Sequence, residues 1–96
     1  MNDQTTPIPN DHLLHVTIQN PETTLFNGMA TAVSSVDVKG PFDVLGLHTN
    51  FICMIRDSIT IHDANGKMSK IPLEKGILKV FENQVDVFLG IEAVTK

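Results

Sequence analysis

Residues 77–90, ILKVFENQVDVFLG, decide the fold class. They hold two alternating apolar runs, Leu78/Val80 and Val85/Val87/Leu89, parted by the turn-forming Glu82-Asn83-Gln84. Side chains of a strand point alternately to opposite faces, so a period of two marks strands with one face buried. Working outward, the same period returns in HLLHVTIQ, where Leu14, Val16 and Ile18 share one face and His15, Thr17 and Gln19 the other. SITIHD adds Ile59 and Ile61. Between these runs lies Asp63-Ala64-Asn65-Gly66-Lys67, whose Asn-Gly pair tolerates positive φ and favours a hairpin. Further turn signals stand at Asn20-Pro21, Asn27-Gly28, Lys39-Gly40-Pro41 and Lys75-Gly76. No stretch of helical length carries an apolar period of 3.6 residues. Short strands parted by turns at this spacing predict an all-β sandwich or barrel.

Two segments depart from simple alternation. FICMIRD, residues 51–57, is apolar on both faces, as expected of a strand enclosed on both sides or one whose outer face meets a partner. GMATAVSSVDV, residues 28–38, is rich in small residues and suits a flat contact. Residues 1–11, with Pro7 and Pro9, read as a flexible N-terminal tail, leaving 12–96 as a single domain.

A chain of 96 residues makes one domain with a core of its own. It has no apolar run of membrane-spanning length and no signal-peptide pattern, and its one cysteine, Cys53, forms no internal disulfide. These features predict a soluble intracellular domain. Seven basic against 11 acidic residues give a net charge of −4, the cations are scattered, and Trp and Tyr are absent. A nucleic-acid interface needs a clustered basic face and stacking platforms, so none is expected.

Signals for chemistry are weak. Of the four histidines, His12 and His15 fall on opposite faces of a strand, which unsuits them to one metal, and His62 sits beside the Asp63 turn. Cys53 lies in a strand interior with Arg56 on the opposite face and reads as a small buried hydrophobe. Neither phosphate-binding glycine motif occurs, nor a G-x-S-x-G elbow, nor a paired-carboxylate pattern. No metal, cofactor or catalytic residue is expected. An enzyme using His48 and Cys53 would need those side chains within about 4 Å of each other.

Read in order, the chain resembles the N-terminal β-sandwich domain of the ε subunit of F-type ATP synthases, called δ in mitochondria. The resemblance runs from about Leu14 to Ala93 and implies an all-β, two-sheet sandwich of about eight to ten short strands. HVTIQNPETTLFNG carries a strand, a Pro-Glu turn at Pro21-Glu22 and a Phe-x-Gly stretch at Phe26–Gly28. GPFDVLGLHTN keeps the Gly40, Phe42, Val44, Leu45 and His48 of the family's Gly-Glu-Phe-Gly-Ile-Leu-Pro-Gly-His loop. KGILKVFENQVDVFLG matches the family's closing Gly-Gly-Phe-Leu-Glu-Val…Asn-x-Val-x-Val pattern. The loop also departs from the family: Pro41 replaces an acid, Asp43 a glycine, and Gly46-Leu47 the Pro-Gly pair.

The resemblance implies a non-catalytic rotor component of the central stalk. Such a component binds the γ subunit, contacts the c-ring, and couples proton or sodium transport to ATP synthesis in the F1 sector. It implies a place peripheral to the inner membrane, in a bacterial cytoplasm, with no direct membrane insertion. A ring-facing loop is expected at Gly40, Pro41, Phe42, Asp43, Gly46 and His48, and a γ-facing surface at Ala30, Ala32, Ser34, Ile52 and Met54. The family continues into a C-terminal helical hairpin that carries an inhibitory movement; the sequence to Lys96 matches the sandwich alone, and no nucleotide site is expected in it. The alternative is a free-standing sandwich adaptor that shares the fold outside a synthase, since a fold does not fix a function.

Overall fold

Alternating patterns become strands throughout. The computed structural model describes residues 12–47 and 50–90, and the expected N-terminal tail lies outside them. Seven strands follow in order: β1 (Leu14–Gln19), β2 (Thr24–Ala30), β3 (Ala32–Asp37), β4 (Gly40–Leu45), β5 (Phe51–His62), β6 (Met68–Phe81) and β7 (Gln84–Leu89). They form one sheet in the order β2-β1-β7-β6-β5-β3-β4. Only the β1–β7 pair is parallel. The Glu82-Asn83 turn joins β6 to β7, and the Asp63–Lys67 turn joins β5 to β6. In the latter, Asp63 Oδ1 accepts the Asn65 and Lys67 N–H groups, and Gly66 takes a φ of 85°.

This one sheet makes both layers of a sandwich by folding over at β5 and β6. Arg56 pairs with Lys75 and Asp57 with Leu73, which leaves Glu74 without an opposite residue. That β-bulge bends the pair, and Asp57 adopts a φ of 75° there. The added residue also shifts the alternation of β6 by one. Leu78 and Val80 on one side of the bulge and Ile71 and Leu73 on the other therefore all face the core. Strand β3 breaks at the same level, where its register jumps from Ser35↔Ile59 to Val36↔Arg56. One layer holds β2, β1, β7 and the halves of β6 and β5 beyond the bulge; the other holds the remaining halves with β3 and β4. The seven strands thus present nine segments, five in one layer and four in the other.

Burial confirms the closure. Leu14, Val16, Ile18, Val85 and Val87 from one layer and Val33, Val44 and Ile59 from the other are fully shielded. A flat sheet would leave one of its faces in water.

Two expected turns lie inside strands. Asn27-Gly28 belongs to β2, and Lys75-Gly76 to β6 at the bulge. Gly76 is glycine for want of room: a Cβ there would stand 2.7 Å from Leu89 Cδ2 and 3.1 Å from the Phe88 carbonyl oxygen.

Candidate functional site

The stretch expected as a loop from Gly40 is mostly edge strand. Gly40, Pro41, Phe42 and Asp43 belong to β4, which pairs with β3 alone. A proline is tolerated on such an edge, because its missing N–H need not serve the ladder. Lys39 N–H is held by Asp37 Oδ1 at 2.8 Å, and Gly40 takes a φ of 121° to close the hairpin from β3. Phe42 and Val44 turn inward, and the Phe42 ring meets Phe51 edge-on with centroids 6.3 Å apart. Pro41, Asp43 and Leu45 point out.

The turn proper begins at Gly46. A Cβ on Gly46 would run into the His12 carbonyl, so only glycine lets the chain ahead of β1 pass beneath. His48 lies outside the described residues. Leu47 has a φ of 65° and is 63% exposed. Across from it, Glu82 in the β6–β7 turn has a φ of 55°, and Phe81 beside it is 55% exposed. Asn83 Oδ1 accepts the Leu47 N–H at 2.9 Å, while Asn50 Oδ1 accepts the Glu82 N–H at 2.6 Å. The Asn83 carbonyl also accepts the His15 N–H at 2.8 Å, tying both turns to the start of β1.

The doubly apolar FICMIRD divides its faces cleanly. Phe51, Cys53 and Ile55 pack on the core, whereas Ile52 and Met54 point out, 67% and 62% exposed. Their cross-strand neighbours on β6 are Lys79 and Ile77, and Ile77 in turn faces Phe88 on β7. Ile52, Met54, Ile77 and Phe88 thus form an apolar stripe on the outer face of one layer. Met54 also borders a shallow depression of about 260 Å³ that Val38, Arg56, Glu74 and Lys75 help to line.

Ala32 and Ser34 occupy the outer face of the other layer, and Ala30 is fully buried at 0% exposure, paired with Leu14. Ser34 pairs with Thr60, six residues along β5 from Met54. At about 3.3 Å per residue that is roughly 20 Å along the strand, and the outer faces of the two layers point in opposite directions. The five candidate γ-facing residues therefore do not form one patch.

Ser34 is instead the hub of a polar network that sequence reasoning missed. Its hydroxyl donates to Asp43 Oδ1 at 2.6 Å, and its oxygen lies 3.0 Å from His62 Nε2. With the hydroxyl proton given to Asp43, the serine oxygen is left to accept from His62 Nε2. A second network crosses β2, β1 and β7. His15 Nδ1 lies 2.9 Å from Gln84 Oε1 and His15 Nε2 2.7 Å from Asn27 Oδ1, and Gln84 Nε2 donates to Asp86. Both networks brace neighbouring strands.

Cys53 is poorly placed for nucleophilic chemistry. Burial, and next the Asp37 carboxylate, push its thiol above the ordinary value. Among the described residues, no three His, Cys, Asp or Glu side chains gather where they could hold a metal ion. Nor is any helix among them long and apolar enough to cross a membrane. Shape and outward apolar residues, rather than a reactive cluster, are what this surface offers.

Comparison with known proteins agrees with that character. Residues 13–91 match the family model of the ATP synthase delta/epsilon chain β-sandwich domain. The ATP synthase epsilon chains of two Clostridium botulinum strains, Eklund 17B and Alaska E43, are each 31% identical over 72 residues, covering 74% of this chain. The chain spans about half of those relatives, the match covering 54% of each. In fold it is similar to a chain of the cryo-EM structure of the Euglena gracilis mitochondrial ATP synthase OSCP/F1/c-ring assembly. That match has a TM-score of 0.78 and 16% identity, and covers 98% of this chain and 60% of the other. With the family model spanning nearly all of the sandwich, the chain belongs to the ATP synthase delta/epsilon chain family, a family of non-catalytic subunits.

Proposed function

We propose that the domain is a rotor component of an F-type ATP synthase, binding the γ subunit through the outer face of β5 and β6 and meeting the c-ring with Gly46, Leu47 and Asn50 beside the Glu82-Asn83 turn. The observation that carries this reading is the outward pair Ile52 and Met54, each more than half exposed and continuous with Ile77 and Phe88. Monomeric surfaces rarely gather apolar side chains in this way, and contiguous patches mark contacts with partners. The epsilon-chain relatives and the fold shared with a chain of an F1/c-ring assembly support the choice of partner. Ala32 and Ser34 face away from that stripe, so the γ contact is assigned to Ile52 and Met54 and not to the small-residue strand.

Co-expression with the γ subunit tests the reading. The wild-type chain is expected to capture γ in a pull-down at micromolar concentration. Ile52→Asp combined with Met54→Asp should weaken capture about tenfold or more, or roughly 1.4 kcal/mol. Both side chains are largely exposed, so stability should change by no more than about 0.5 kcal/mol for each. No capture by the wild-type chain would replace the rotor reading with that of a free-standing adaptor.

A further inference from the structure

Non-glycine residues with positive φ are uncommon and persist only where their surroundings hold them. The two turns at the Asn50/Asn83 end of the sandwich each contain one, Leu47 and Glu82. Each has its N–H captured by the other turn's asparagine, Leu47 by Asn83 and Glu82 by Asn50. The asparagines are thus exchanged between the two turns. Beside these bonds Leu45, Leu47 and Phe81 stand more than half exposed. A surface that needed only solubility would place polar residues there and would gain nothing from a leucine held in the left-handed region.

We propose that Asn50 and Asn83 are positioning residues that lock the two turns into a single docking tip. Leu47 and Phe81 are its anchors for a protein surface offering an apolar hollow and a basic group. The choice of occupant follows from charge. Among the described tip residues, Leu45–Leu47, Asn50 and Phe81–Gln84, the one charged side chain is the Glu82 carboxylate. An anionic lipid surface is repelled by it; a basic side chain on a protein partner complements it. The identity of that partner as the c-ring rests on the rotor reading, while the lock itself does not.

Amide hydrogen exchange on the 96-residue chain tests the lock without any partner. Asn83→Ala should speed exchange at Leu47, and Asn50→Ala at Glu82, each about tenfold or more, with β3 and β4 core amides unchanged. Asn→Asp at either site keeps an acceptor oxygen and should restore protection. If the alanine variants leave both amides protected, the lock is refuted. If they release protection across the whole sandwich, the asparagines are general structural residues and the positioning role is refuted.

The partner is tested by capture of the purified c-ring, with phosphatidylglycerol vesicles as the competing surface. Leu47→Asp and Asn83→Ala should each lower ring capture about tenfold or more, while Asn83→Asp restores it and γ capture stays at the wild-type level. Ring capture that survives Leu47→Asp, or tight vesicle binding by the wild-type tip, overturns the assignment of the occupant. If neither γ nor the ring is captured by the wild-type chain, the rotor reading fails, and the exchange experiment still decides the lock.

Discussion

Replacing Gly76 by alanine probes the place where one sheet becomes two layers. Gly76 sits in β6 opposite Ile55 on one side and Leu89 on the other. An added Cβ would stand 2.7 Å from Leu89 Cδ2, 3.1 Å from the Phe88 carbonyl oxygen and 3.3 Å from Ile55 Cγ1. Carbon atoms pack comfortably at about 3.5–4.0 Å, so all three neighbours must give way. The Leu89 and Ile55 side chains can rotate, but the Phe88 carbonyl belongs to the β7 backbone and moves only with its strand. Overpacking of this kind costs about 1–3 kcal/mol. Against it stands a gain of about 0.4–1 kcal/mol, because alanine restricts the unfolded chain more than glycine does. The packing cost wins, and Gly76→Ala is expected to destabilise by about 1–2 kcal/mol. For a domain of this size that lowers Tm by about 4–16 °C. Urea unfolding followed by far-UV circular dichroism reads the change directly. Repeating it in a Leu89→Ala background assigns the cause: with Leu89 Cδ2 gone, the Gly76→Ala cost should fall by about 1 kcal/mol, a coupling a double-mutant cycle resolves. A neutral or stabilising Gly76→Ala, or an equal cost in both backgrounds, would refute the close-approach account of the bulge.

The Cys53 thiol gives a pH signature. Its pKa is raised in the fold, first by burial and then by Asp37, so the stability it contributes is fully present below the unfolded value of 9.0 and is lost as pH rises through the folded one. Unfolding midpoints above pH 9.0 should therefore fall more steeply for the wild type than for Cys53→Ala; parallel curves would contradict this. At the Ser34 hub, Ser34→Ala leaves Asp43 and His62 without their shared partner and should cost about 1 kcal/mol in urea unfolding. An unchanged midpoint would show that water replaces the hydroxyl at no loss.

Strands with one wet face were fully legible from sequence. In β1 and β7 the core residues Leu14, Val16 and Ile18, and Val85, Val87 and Leu89, are the alternating apolar positions, because nothing but burial sets their pattern. The long strands were harder. Lys75-Gly76 reads as a turn by composition, yet Gly76 marks a close approach of strands, and the unpaired residue beside it, Glu74, has no local signature. Asn27-Gly28 misleads for a related reason. The Phe26 ring lies over Gly28, 3.2 Å from where a Cβ would stand, so the glycine serves packing inside β2. Gly40-Pro41 signals a turn that does exist, but β4 starts within it, since an edge strand does not need the proline N–H.

The side-chain networks were out of reach of sequence for another reason. His15 meets Gln84 across 69 residues of sequence, and Ser34 meets His62 across 28. Such pairs exist only once the register of distant strands is set. The Asn50 and Asn83 exchange is of the same kind, with partners 36 and 32 residues apart. The outward direction of Ile52 and Met54, by contrast, was one of two options the sequence left open, and the alternation of β5 selects it.

The position of the bulge orders the surfaces mechanically. Phe81 and the Ile52/Met54 stripe lie on the same side of it, Phe81 directly following the segment 75–80 of β6 that pairs with 51–56 of β5. The rungs Phe51↔Val80, Cys53↔Leu78 and Ile55↔Gly76 alternate with Ile52↔Lys79 and Met54↔Ile77 without a register break. The inner residues of those rungs, Leu78, Val80 and Ile55 among them, are buried. A force applied at Phe81 therefore reaches Ile52 and Met54 through regular, core-backed ladder, and one applied at Leu47 passes to the β6–β7 turn through Asn83. A force applied at Ala32 or Ser34 must cross the bulge, where Glu74 is unpaired and Asp57 holds a positive φ. If the two proposed contacts are to turn together, the stiff path has to join them and the irregular one has to lie elsewhere. This arrangement meets that requirement with backbone geometry alone, and it asks for no reactive side chain.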